Sequence, residues 1–140
     1  MHVNELAKQA EVPAHVVRYY TQEGLLNPER DPRNDYREYA GSDVYRVRFI
    51  RRAKWLGFTL RDVKAILHDA DRGMSPCPEV REIIKLRARE NRERLDSLTR
   101  LQHRVEDAIA RWQSMPDRLP DHDSLCHLID MVAAAEGDLT

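Results

Sequence analysis

Two side chains stand out for the chemistry they could do. Cys77 lies between Pro76 and Pro78 in "GMSPCPEVREI", Cys126 lies in "SLCHLI", and the 140-residue chain has no other cysteine. A thiolate is a nucleophile, a redox centre and a soft metal ligand, and a helix N-terminus helps hold it deprotonated. A serine or aspartate would cap a helix equally well, so capping alone does not account for a thiol at Cys77. The alternative is that both cysteines are simply buried small hydrophobes. Two cysteines at non-repeating positions read as free thiols in a reducing compartment, not as a disulfide framework.

A second chemistry is cationic. Arg46, Arg48, Arg51, Arg52 and Lys54 fall within nine residues that hold no acidic side chain. Such a cluster matters more to a polyanionic partner than the formal net charge of -1 does; its other reading is a solvated helix face. The charge is uneven, with 13 Lys+Arg against 11 Asp+Glu over residues 1–72 and 10 against 13 over residues 73–140. No nucleophile with its base, no paired carboxylates and no Gly-rich phosphate loop appear, so an enzyme is not expected. No apolar run approaches the roughly 20 residues that span a bilayer, and no signal-peptide core is present. The expectation is a cytoplasmic protein without a membrane partner.

Several elements must position these groups. "VNELAKQAEVPAHVVRYYTQEGLL" reads as two short helices with a tight break: Asn4 as N-cap, Pro13 opening the second helix, and Gly24 stopping it in a left-handed conformation. "NPERDPRNDYREYA" reads as a small hairpin turning near Asn34 and Asp35. Ser42 is expected to cap a helix from about Asp43 to Leu56, ended by Gly57, and Thr59 with Asp62 resembles a capping box opening a helix to about Asp69. From Glu79 to Gln113 there is no Gly or Pro. There Ile84, Ala88, Asn91, Leu95, Leu98, Gln102, Val105, Ile109 and Trp112 alternate in steps of four and three. That period defines a coiled-coil seam, and a helix roughly 50 Å long cannot bury it against a 70-residue neighbour, so a second copy is the simplest partner. A Pro- and Asp-rich loop follows, then a short helix from about Leu125 to Ala135.

Taken together, "ELAKQAEV", "VVRYYTQEGLL", "NDYREYAGSDVYRVRFIRRAKWLGFTLRDVKAIL" and the long helix resemble the MerR family of transcriptional regulators, from Val3 to about Trp112. The resemblance implies a mainly α fold. A winged helix-turn-helix DNA-binding domain (1–72) and a hinge (73–78) precede a dimerisation helix (79–113) that forms an antiparallel coiled coil, and an effector loop with a terminal helix closes the chain (114–140). It implies a homodimer on promoter DNA that distorts an overlong spacer so that RNA polymerase can open it, an indirect-readout device. Positions matching the family's DNA contacts are His15, Arg18 and Tyr20 on the second helix and Tyr36 and Arg37 in the wing. Arg52 and Lys54 are candidates for phosphate contact. The usual wing turn reads Asn-Gly-Tyr-Arg; here Asp35 must take the left-handed conformation, which Asp tolerates.

The same resemblance places Cys77 where the divalent-metal branch, sensing zinc, cadmium, lead or mercury, has a cysteine. Cys126 matches a second thiol of that branch. A third is missing, since the helix ends in "RWQSMPD" with Ser114 and Met115. His122, four residues before Cys126, is the candidate replacement, with His127, Asp121, Asp123 or the thioether of Met115 as alternatives. Cys77, His122 and Cys126 would make a mixed nitrogen and sulfur site suited to zinc. Two other readings remain: a thiol-based redox or electrophile sensor, and a DNA-binding dimer without an effector.

Overall fold

The computed structural model describes residues 1–132, so the expected helical residues Ala133 to Ala135 lie outside the described region. The chain divides into two compact units, Met1–Glu90 and Asn91–Thr140.

In the first unit α1 (Val3–Ala10) and α2 (Ala14–Gln22) form the helix-turn-helix. Asn4 does not cap α1. The N-cap is His2, without a side-chain hydrogen bond, and Asn4 lies one residue inside the helix. Glu11 ends α1 at φ 60°, and Val12 N–H reaches back to the Ala7 carbonyl at 3.0 Å. A non-glycine residue thus carries the left-handed turn. Pro13 precedes α2 as its N-cap, and Gly24 adopts φ 80° beyond its end, as expected.

β1 (Glu29–Arg30) and β2 (Arg37–Glu38) pair antiparallel, Glu29 opposite Glu38 and Arg30 opposite Arg37. Like charges directly opposite are unfavourable, and other partners offset this: Arg30 bonds Asp35 at 2.7 Å and Glu38 pairs with His2 at 3.1 Å. Asp35 has φ 60°, as the wing turn requires. The tip is closed by short bonds: Asp35 N–H to the Asp31 carbonyl at 2.8 Å and Tyr36 N–H to Asn34 Oδ1 at 3.0 Å.

α3 (Asp43–Trp55) and α4 (Leu60–Asp71) complete the unit. Ser42 stands at the N-cap of α3 but its side chain makes no cap; Asp43 Oδ2 instead accepts from Ala40 N–H at 3.0 Å. Thr59 and Asp62 form a complete capping box. The core gathers Leu6, Val17, Leu25, Leu26, Val47, Ile50, Val63 and Ile66, all essentially inaccessible. Each such aliphatic side chain contributes about 1.5–3 kcal/mol by leaving water.

α5 runs Cys77–Trp112, so it begins two residues before the expected Glu79 and takes Cys77 and Pro78 into its first turn, where proline is tolerated. Val80, Ile83 and Ile84 at its start pack against the core just described. Ile84 therefore serves the first unit, and the free seam starts further along.

In the second unit the rest of α5 buries nothing: Leu95, Leu98, Leu101, Val105 and Ile109 are all exposed, Leu98 by 61%. A short α6 (His127–Asp130) follows the loop. Among the described residues no helix is long and apolar enough to cross a membrane.

Candidate functional site

The recognition surface is built by α2 and the wing. His15 and Arg18 sit three residues apart on α2 and are both exposed, so they share one face. Arg18 lines a cleft of about 540 Å³ together with His2, Asn4, Asp35, Tyr36 and Arg37. Helix and wing, separated by some 18 residues of chain, thus present a guanidinium pair and a phenol to one space. Such an arrangement offers phosphate and base-edge hydrogen bonds over a short span.

Tyr20 is placed differently from its expected role. It is only 5% exposed and belongs to the core with Val17, three residues earlier, so it supports α2 from beneath. Its neighbour Tyr19 is exposed. Tyr39 is likewise buried, and its hydroxyl lies 2.7 Å from Thr21 Oγ1 on α2, which ties the wing to the recognition helix. His2 meets the Tyr36 ring edge-on with centroids 5.8 Å apart. The signal for it was weak, since nothing in its neighbours marks contact with a residue 34 positions away.

The basic cluster separates into structural and free members. Arg46 donates to the Leu25 carbonyl at 2.7 Å and to both oxygens of Asp71 at 2.8 and 2.9 Å. That guanidinium holds the Asp71 carboxyl below its usual range. Arg48 donates to the Gln9 carbonyl at 2.9 Å. Arg51, Arg52 and Lys54 are exposed and line a cleft of about 490 Å³ with Trp55.

A buried ionic link joins α4 to α5. Asp62 is 8% exposed and receives two bonds from Arg87, Nε and Nη2 each at 2.9 Å, while Arg87 Nη1 reaches Glu90 at 2.6 Å. The Arg87 guanidinium, aided by Thr59, lowers the Asp62 pKa from its ordinary value. Asp62 therefore both caps α4 and anchors the first turns of α5.

Cys77 and Cys126 are both free and both exposed within the single chain, so its own fold does not bury them as small hydrophobes. Cys77 N–H donates to Ser75 Oγ at 3.4 Å, and in the same turn Glu79 is pushed up by the neighbouring Asp69 carboxyl. Around Cys126 the loop is organised by Asp130, whose Oδ2 accepts from Ser124 Oγ at 2.5 Å, Leu125 N–H at 3.1 Å and Cys126 N–H at 3.3 Å. The Ser124 hydroxyl is the main cause of a lowered Asp130 pKa. His127 Nε2 lies 2.8 Å from the Pro116 carbonyl, and His122 is almost fully solvated, 3.5 Å from Asp123. Among the described residues of one chain, no three His, Cys, Asp or Glu side chains converge as a metal site. As a donor set, two accessible thiols with an imidazole fit a divalent ion of zinc-like or softer character.

Comparison with known proteins adds the following. Residues 1–70 match the family described as "MerR HTH family regulatory protein", and residues 44–108 match "MerR, DNA binding". The chain is 33% identical over 112 residues to the HTH-type transcriptional regulator HmrR of Rhizobium leguminosarum bv. viciae, covering 78% of this chain and 84% of that one. It is 30% identical over 116 residues to the mercuric resistance operon regulatory protein of Bacillus cereus, covering 82% and 87%. Its fold is similar to that of the transcription regulator PbrR691 from Ralstonia metallidurans CH34, crystallised with lead(II). The TM-score there is 0.74 at 24% identity, covering 94% of this chain and 99% of that one.

Proposed function

Since this chain belongs to the MerR helix-turn-helix family of transcriptional regulators and is not an enzyme, we propose that it is a metal-responsive regulator that binds promoter DNA as a homodimer. On DNA, Arg18 and His15 on α2 enter the groove while Tyr36 and Arg37 hold the flanking backbone. The cleft that Arg18 shares with Tyr36 and Arg37 is the observation that carries this reading. Arg52 and Lys54 add phosphate contacts.

Dimerisation uses the exposed seam of α5, where Leu95, Leu98, Val105 and Ile109 stand exposed among the described residues and need a second helix. Asn91 and Gln102 on that seam fix its register at some cost in stability.

The effector is a divalent metal ion, zinc, cadmium, lead or mercury, held by the thiolates of Cys77 and Cys126 with His122 as nitrogen donor. Two observations support it: both thiols are accessible, and a relative of which this chain covers 87% is named for a mercuric resistance operon. Bound there, the ion would supply strong thiolate bonds that favour one arrangement of the regulator over another. The chain's own residues turn that preference outward. Cys77 starts α5, Arg87 ties α5 to Asp62, and Asp62 caps α4. Effector binding shifts the balance between DNA-bound states only as far as its affinities for them differ, and RNA polymerase on the distorted promoter reads the result.

The test is a reporter driven by the region upstream of the gene. Zinc, cadmium, lead or mercury should raise its output with the wild-type protein and leave it unchanged with Cys77→Ser. Induction by peroxide or an electrophile, with no response to any of the four metals, would make the thiols redox sensors instead.

A further inference from the structure

The seam of α5 carries two amides whose positions specify which helix can lie on it. Asn91 and Gln102 are exposed, and they share the seam with the exposed Leu95, Leu98, Val105 and Ile109. A cleft of about 420 Å³ opens on this face. Four of its lining residues, Leu95, Leu98, Thr99 and Gln102, stand at i, i+3, i+4 and i+7, the corners of a hole that receives one knob from a facing helix.

Charge sets the direction of that helix. Residues 81–104 hold 8 Lys+Arg against 4 Asp+Glu, and residues 105–130 hold 2 against 6. A parallel second copy would lay like charge on like, while an antiparallel copy lays each basic stretch along an acidic one. The seam residues then choose the register. In one register Asn91 faces Gln102 of the partner subunit, Leu95 faces the partner's Leu98, and the partner's Leu95 fills the hole. Sliding by one heptad in one direction sets Asn91 against the partner's Ile109 and puts the partner's Gln102 into the hole. Sliding by one heptad in the other sets Asn91 against the partner's Leu95 and offers the hole only the partner's Ala88. Either slide turns amides away from solvent onto apolar side chains, where their hydrogen bonds are lost. In the first register the two amides, each with donors and an acceptor, can bond one another.

We propose that Asn91 and Gln102 form a self-recognition pair. The seam of α5 accepts a second copy of this chain in the register that joins Asn91 to the partner's Gln102, and it rejects a related helix that is apolar at those two places. Such a pair gives specificity through the mismatch it imposes on other helices as much as through its own bonds. The inference rests on dimerisation through α5, which the experiment reports separately.

Two full-length variants, Asn91→Leu and Gln102→Leu, test it. Leucine is at least as good a helix former as either amide, so α5 is kept. Alone, each variant must set leucine against an amide in both copies of the layer. Mixed, the two variants make one leucine–leucine layer and one amide–amide layer, so only the mixed dimer is matched throughout. Native mass spectrometry of an equimolar mixture, with one variant isotope-labelled and the subunits left to exchange, counts the dimer species. With a penalty of about tenfold on each homodimer, about nine dimers in ten should be mixed, against the half that random exchange gives. In either slid register the two substitutions act independently, and the distribution is random. A random distribution, or an excess of homodimers, would overturn the pairing and leave dimerisation in place. Wild-type protein that stays monomeric at micromolar concentration would remove both readings.

Discussion

The units Met1–Glu90 and Asn91–Thr140 solve opposite problems with similar residues. In the first, every essentially inaccessible side chain falls between Leu6 and Ile66, and two guanidinium groups are matched internally, Arg46 by Asp71 and Arg87 by Asp62 and Glu90. In the second, a regular apolar seam of leucines, valine and isoleucine stands in solvent, and no described residue is buried. Periodicity alone therefore does not tell whether a hydrophobic face is satisfied. It is satisfied where short helices fold back on one another, and it awaits a partner where a single helix continues for 36 residues. The first unit holds the means to bind; the second holds an apolar surface that the proposed dimer would cover.

Four substitutions would break or sharpen this contrast. The largest effect is expected from Leu98→Asp on the seam. Each protomer would lose about 2 kcal/mol of apolar burial, or about 4 kcal/mol per dimer, a roughly thousandfold weaker association. Sedimentation at micromolar protein should show monomer for the variant and dimer for the wild type, while the circular dichroism of the first unit is unchanged. Next, Leu6→Ala in the core should cost about 2–5 kcal/mol in urea unfolding, independent of protein concentration. Leu98→Ala, by contrast, should change the unfolding midpoint only in proportion to its effect on dimer population.

The smallest effect concerns Asp62. Its folded pKa is lowered below the ordinary 3.8, chiefly by Arg87, so it contributes stability that is present above about pH 4 and is lost as pH falls through the lowered folded value. The wild-type protein should therefore lose stability in that acid window more steeply than Asp62→Asn, measured by urea unfolding at a series of pH values. Equal slopes would mean that the α4 to α5 link does not depend on the charge of Asp62.

Local features were the most legible in the sequence. Thr59 and Asp62 are three residues apart, and both halves of their reciprocal cap lie within one turn, so the pattern specifies the bonds. Asp35 in place of glycine still gives φ 60°, because a short polar side chain tolerates the turn and Arg30 bonds its carboxylate. What sequence did not reveal depends on distance along the chain. Asp62 and Arg87 are 25 residues apart, as are Arg46 and Asp71, and no pattern marks such pairs. Arg52 and Lys54 were singled out of the basic cluster, but nothing in the sequence marked Arg46 and Arg48 as tied down by partners far along the chain. Tyr20 was misjudged although the information was present, since its spacing from Val17 puts it on the buried face of α2. For Asn4, the chain entered α1 two residues earlier than the capping preference indicated.

Thiol ligation is the step on which the functional reading turns. The most direct measurement is the metal content and binding stoichiometry of the purified, reduced wild-type protein beside its Cys77→Ser, Cys126→Ser double variant. The account predicts stoichiometric binding of at least one of zinc, cadmium, lead and mercury to the wild type, abolished in the double variant. Failure of all four to bind stoichiometrically, or equal binding by both proteins, would contradict it.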